Sequence, residues 1–400
     1  MTRQLKVGLC GRMFPPAREA LAAAERAEAL GWDFINYPDQ LSGTHPTGLL
    51  HVPVAGTDPT APTGMYSDVW YGSFEMCTAA AVLTRNIDIM LAVVDPLRRS
   101  PALMAQEMAT LQHLSGGRMT FALGSGEAKQ FEPYGETRTK PIGRLEESIR
   151  VFKALWESGG EPVTRPSEFW PLTNAVFPIP QLEGRNPDLL IVGGTQRLLQ
   201  LAGEHCDGWL TFLPGGTMDD VGLLADTISV VKAAAAMAGR DPDDLRFVAQ
   251  VFASIGETDD QAWELARMPP VGWLGVIGAS IAGSDAWKKW GYDHPFGDFN
   301  WAKDMDITRV TATQAAQLVE RVPDEILDHA CVWGSPARVA ARLQSFVDAG
   351  ITEISLFNFA AGADPQHALK WHGLASEIRT RLGITPLALD GVAAGATSTT

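Results

Sequence analysis

From residue 5 to residue 359 the chain alternates eight times between a short apolar run and a longer helical pattern. The runs are LKVGLC (5–10), FINYPD (34–39), IDIMLAVV (87–94), RMTFALGSG (118–126), DLLIVGG (188–194), GWLTFLP (208–214), LRFVAQVFASIG (245–256) and ITEISLFNF (351–359). Helix-like stretches lie between them. EALAAAERAEALGW (19–32) closes at Gly31, and Ser100-Pro101 opens another with a cap residue and a first-turn proline. Near-continuous apolarity marks strands buried on both faces, as in a parallel sheet covered by helices. Eight such units predict an α/β chain closed into a (β/α)8 TIM barrel. A doubly wound open sheet is the alternative. Three stretches interrupt the count: 41–70 is rich in Gly, Pro and Thr, 162–187 has room for a small hairpin, and 257–335 is too long for one barrel helix. We read 1–385 as one domain carrying these insertions, and the small, polar residues 386–400 as a disordered tail.

Composition narrows the function. The net charge is -15 and no basic run occurs, which argues against a nucleic-acid binder. The four cysteines are far apart without a CxxC pair, so zinc and thioredoxin-type chemistry have no framework, and a reducing cytoplasm is expected. The start, MTRQLKVGLC, is too short and polar for a signal peptide before the first strand. No apolar stretch approaches the roughly 18 residues of a membrane span. The eight histidines form no HExxH, and no GxSxG elbow anchors a serine nucleophile. No metal site is expected.

Barrel enzymes place their chemistry at the C-terminal ends of the strands. That rule selects four stretches. GSGEAK (124–129) completes neither a dinucleotide nor a P-loop motif, but Gly126 lets a ligand approach the backbone, and Glu127 is placed to enter the mouth. A carboxylate that merely starts a helix is the plainer reading. Asp39-Gln40 ends the second run; turn capping is its plainer reading. DPLRRSP (95–101) offers paired arginines to an anion, or is a solvated loop. VGGT (192–195) pairs a double glycine with a helix start: an anion seat, or tight packing.

Together these segments resemble the luciferase-like superfamily, in its branch that uses the deazaflavin coenzyme F420. The carrying residues are PDQL (38–41), AVVDPLRRSPALMAQEMATL (92–111), GRMTFALGSGEAKQFEPYG (117–135), TKPIGRLEESIRVFKALW (139–156), VGGTQRLLQLAGEHCDGW (192–209) and GSPARVAARL (334–343). EPYGETRTKP and HPFGDF are most similar to the mycobacterial phthiodiolone ketoreductases. The resemblance implies a luciferase-like barrel and hydride transfer between F420 and a carbonyl or alcohol. The alternatives are an FMN-dependent monooxygenase on the same fold, or a relative that binds coenzyme without turnover. It implies a strand-three bulge with a non-prolyl cis peptide at Ala92-Val93 under the coenzyme. Asp39 would lie near that coenzyme, Glu127 would be the active-site acid, and Gly193, Gly194 and Thr195 the phosphate loop. Gly126 and Lys129 join the coenzyme-binding set. The residue after Asp39 is commonly histidine in this branch; here it is Gln40, which cannot titrate near neutrality. A small-molecule substrate that is lipid-like, large and apolar, and a homodimer are implied. Trp263, Trp273, Trp287, Trp290 and Trp301, with Met65, Tyr66, Trp70 and Tyr71, suggest a roomy apolar pocket; core packing is their plainer reading.

Overall fold

The computed structural model describes residues 4–46, 48–49, 70–278 and 283–389. Eight parallel strands form the barrel: β1 (Lys6–Cys10), β2 (Phe34–Tyr37), β3 (Asp88–Val94), β4 (Met119–Leu123), β5 (Asp188–Val192), β6 (Gly208–Leu213), β7 (Arg246–Ile255) and β8 (Glu353–Asn358). They pair in chain order, and β8 closes on β1 through Val7 opposite Ile354. Closure leaves the eight barrel strands without the two open edges that a doubly wound sheet would keep. The expected TIM barrel is therefore what the chain forms.

Alternation within each strand divides the core. One parity points inward: Phe34, Met90, Ala92, Ala122, Leu190, Leu210 and Val248 fill the barrel. The other parity meets the helices, as with Val7, Ile35, Leu91, Phe121 and Ile191. The helix Ala17–Leu30 shows why its stretch is helical. Ala20, Ala24, Ala27 and Leu30 recur at helical spacing and are buried, and Gly31 ends it at φ 83° with its N–H on Ala27 and Glu28 carbonyls. The N-terminal end of the barrel is plugged by Arg246, which meets Glu353 at 2.7 Å, Thr120 at 2.8 Å and Asp188 at 3.1 Å.

Residues 162–187 do carry a hairpin, Val163–Arg165 against Leu172–Ala175. Most of 41–70, with Met65 and Tyr66, lies outside the described residues. The third insertion builds a second core around Trp273, Trp287, Phe299, Val319 and Ile326, over the C-terminal end of β7. A short strand, Val332–Gly334, adds to β7 at Ala253–Ile255. Within the stretch expected to be a tail, Leu387 is buried, its N–H bonds Ser376 Oγ, and Ala388 N–H bonds the Leu30 carbonyl. Residues 390–400 lie outside the described residues. No described helix is long and apolar enough to cross a membrane.

Candidate active site

Because all eight strands run parallel, their C-terminal ends gather at one mouth. Asp39 follows β2, Ala92-Val93 lie in β3, Gly126, Glu127 and Lys129 follow β4, and Gly193, Gly194 and Thr195 follow β5. The Ala92-Val93 peptide is cis, and the β3–β4 register shifts between Ala92 and Val94. Gln250 of β7 crosses the barrel to donate to the Ala92 carbonyl at 3.2 Å. Half-buried Val93 lies against Gly124, where an added Cβ would sit 2.6 Å from Val93 Cγ1.

Asp39 is buried and fully engaged. It accepts from Ser73 Oγ at 2.7 Å, Arg98 Nη2 at 2.5 Å and Arg99 Nη1 at 2.7 Å. Arg98 Nε also meets Asp95 Oδ2 at 2.6 Å. Burial opposes the charged Asp39 carboxylate, but the Arg99 hydrogen bonds and both guanidinium charges outweigh it and hold its pKa below the ordinary aspartate value. Burial dominates at Asp95 and raises its pKa. The arginine pair that the sequence offers to an external anion is thus spent on internal carboxylates. Arg197 likewise pairs with Glu146.

Glu127 extends from the short turn after β4, with its side chain about a quarter exposed. Its Oε1 accepts the indole N–H of Trp301 at 2.7 Å. Lys129 Nζ lies 3.2 Å from Oε2, with its own side chain 3% exposed. Burial lowers the Lys129 pKa, and Glu127 opposes that shift. Lys129 also donates to Gln40 Oε1 and, at 2.8 Å, to the Ser42 carbonyl. Gln130 bonds the same Gln40 oxygen and accepts Leu41 N–H at 2.8 Å. Gln40 is therefore a clamp on Lys129 rather than a free side chain at the mouth. Arg138 donates to the Gly126 carbonyl at 2.8 Å and forms no carboxylate salt bridge among the described residues.

The phosphate-loop candidate is open. Gly193 sits at φ 129°, its carbonyl taken by Trp209 Nε1 at 2.8 Å. Gly194 and Thr195 are exposed, and a Cβ built on Gly194 would meet nothing within 4 Å. The helix Gln196–His205 then begins without a side-chain cap, leaving N–H groups for an anion.

The opposite wall of the mouth is aromatic, and the sequence reading missed it. Phe212, Phe252, Phe357 and Phe359 are half-buried, with Phe252 5.8 Å from Phe212, 6.0 Å from Phe357 and 5.5 Å from Phe359. Period-2 alternation in β6, β7 and β8 is the signal that could have found the first three. The insertion's tryptophans mostly serve its own core. Trp273 and Trp287 are buried there, Trp263 packs tilted against Trp333 at 4.6 Å, and Trp290 stacks on His329 at 4.2 Å. Among the five, Trp301 is the one bonded to Glu127. Cysteine is no competing nucleophile: burial pushes Cys10, Cys206 and Cys331 up to about 12. Among the described residues no three metal-ligating side chains gather.

The model of the luciferase-like monooxygenase family matches residues 3–353. The chain belongs to that family. Among curated luciferase-like relatives, the phthiodiolone/phenolphthiodiolone dimycocerosates ketoreductase of Mycobacterium bovis is 29% identical over 347 residues, covering 86% of this chain and 87% of its own. Among solved structures, an F420-dependent secondary alcohol dehydrogenase in complex with an F420-acetone adduct superposes with a TM-score of 0.69 at 20% identity, covering 95% and 99% of the two chains. The oxygenating constituent of 3,6-diketocamphane monooxygenase of Pseudomonas putida, in complex with FMN, gives 0.64 at 18%, covering 96% and 99%. At such identities these two likenesses concern the fold.

Proposed function

We propose that this luciferase-like protein is an F420-dependent oxidoreductase that interconverts a carbonyl and an alcohol on a large, apolar substrate. The observation that carries the reading is the convergence of Asp39, the Ala92-Val93 bulge and Glu127 at one mouth, facing an aromatic wall. The ketoreductase relative supports the reaction class. Bound there, the deazaflavin supplies or accepts a hydride. The bulge, with Val93 against Gly124, forms its seat. Gly194, Thr195 and the following helix N-terminus receive its phosphate. Asp39 tethers the end of β2 to Arg98 and Arg99 and so holds the floor in shape. When a carbonyl is reduced its oxygen gains a proton, and Glu127 delivers it; in the reverse direction Glu127 takes it. Gln40 contributes by holding Lys129 against Glu127. Phe212, Phe252 and Phe357 exclude water and take up an aliphatic or lipid-like chain. A homodimer remains the expectation from the family resemblance, and a cytoplasmic location the expectation from cysteine usage.

Coenzyme choice is tested by fluorescence titration of the purified protein with F420 and with FMN. Binding of F420 alone, followed by ketone-dependent oxidation of the reduced coenzyme across a panel from acetone to long-chain methyl ketones, is the expected result. Binding of FMN alone, with oxygen-dependent turnover, would replace this reading by a monooxygenase.

A further inference from the structure

One contact to the candidate proton-transfer group comes from the insertion rather than from the barrel. Trp301 belongs to the insertion, 174 residues from Glu127 in sequence, yet its Nε1–H meets Glu127 Oε1 at 2.7 Å. The segment around it is anchored: Phe299 and Met305 are buried in the insertion's core, and the Phe299 carbonyl accepts Ser284 N–H at 2.8 Å. The same insertion grips the loop after β2, where Trp273 Nε1 donates to the Thr44 carbonyl at 2.9 Å and His45 Nε2 lies 2.8 Å from the Pro270 carbonyl. It is therefore a roof tied down at two places around the mouth, and one tie is the carboxylate itself.

We propose that Trp301 is a positioning residue for Glu127, so that seating the roof and orienting the proton-transfer group are one event. An indole N–H donates and never accepts, and the Trp301 ring is packed, partly buried, against the insertion's core. It therefore selects one rotamer of Glu127 and keeps Oε1 engaged, while Oε2 remains beside Lys129. When substrate displaces or shares that bond, the roof senses it directly. The inference rests on the assignment of Glu127 to proton transfer.

The test begins without turnover. In protein labelled with 15N at the tryptophan indoles, the resonance lost in Trp301→Phe is that of Trp301. It should shift in Glu127→Gln. An indole signal indifferent to Glu127→Gln would overturn the proposal. Turnover of reduced F420 with 2-undecanone then completes a double-mutant cycle. Trp301→Phe should lower kcat by about ten- to a hundredfold, the worth of a hydrogen bond to a charged group, with coenzyme affinity unchanged. Trp301→His, which keeps a ring N–H, should recover part of the loss. In the Glu127→Gln background the Trp301→Phe change should cost little more, and an undiminished cost there would show that Trp301 acts on something other than Glu127. Full activity in Glu127→Gln alone would instead sink the proton role itself, and this inference with it.

Discussion

Replacing Glu127 by glutamine separates chemistry from scaffolding, because the structure gives this carboxylate both jobs. As a proton donor or acceptor its loss should cost about 10²–10⁴ in kcat. Its removal also strands Lys129, whose side chain is only 3% exposed. Breaking a buried ion pair from one side costs about 3–5 kcal/mol. Glu127 is itself 24% exposed, and Lys129 keeps the Gln40 and Ser42 oxygens, so a loss nearer about 1–3 kcal/mol is expected here. The pH dependence has a definite sign. Burial already sets the folded-state Lys129 pKa below its unfolded value, so the folded protein binds fewer protons there and stability rises with pH between the two values. Without Glu127 the folded value drops further and that slope extends to lower pH. The assay pairs steady-state turnover with urea unfolding across pH, on Glu127→Gln and on Glu127→Gln/Lys129→Met. The second variant removes both charges and should regain most of the stability with none of the turnover. Recovery of turnover in the double variant, or a loss in the single variant no larger than its unfolded fraction, would refute the catalytic assignment.

Other outcomes follow from the same geometry. Asp39→Asn leaves Arg98 and Arg99 short of their shared carboxylate, and chemical denaturation should register a loss of about 3–5 kcal/mol. The depressed Asp39 carboxyl contributes stability above the ordinary aspartate range that is lost as pH falls through its lowered value; acid unfolding of Asp39→Asn should lack that component. Gly194→Val places its side chain in open space, so Tm should hold while F420 affinity falls at least tenfold; unchanged affinity would remove the phosphate from that loop. Hydrogen bonds from Arg165 first, then Ser167 and Arg150, hold Glu147 down to about 2 against the opposing effect of burial. The hairpin of residues 163–175 should therefore loosen between pH 4.5 and about 2, and hydrogen exchange of its amides should show this earlier in Glu147→Gln.

Much of the barrel is legible without coordinates, for a local reason. Each β–α unit states its own period, and strands buried on both faces must lie parallel beneath helices, so DLLIV or MTFAL announces its place whatever its neighbours do. The parallel rule then brings Asp39, Ala92, Glu127 and Gly193 to one end, since every strand enters the mouth in the same sense. What each of those residues touches is not local information. Arg98 and Arg99 read as a ligand's cradle until Asp39, about sixty residues away, is seen to occupy them. Gln40 reads as a lost titrating group until Lys129 and Gln130, from the turn after β4, close on its oxygen. Trp301 lies in a segment whose helices bury tryptophans for their own core, and no period distinguishes the one that also reaches Glu127. Hydrophobic periodicity is written in the chain because it follows from the backbone's own repeat. Pairing between charges and donors on different units depends on how those units dock, and only the folded barrel brings them within hydrogen-bond range.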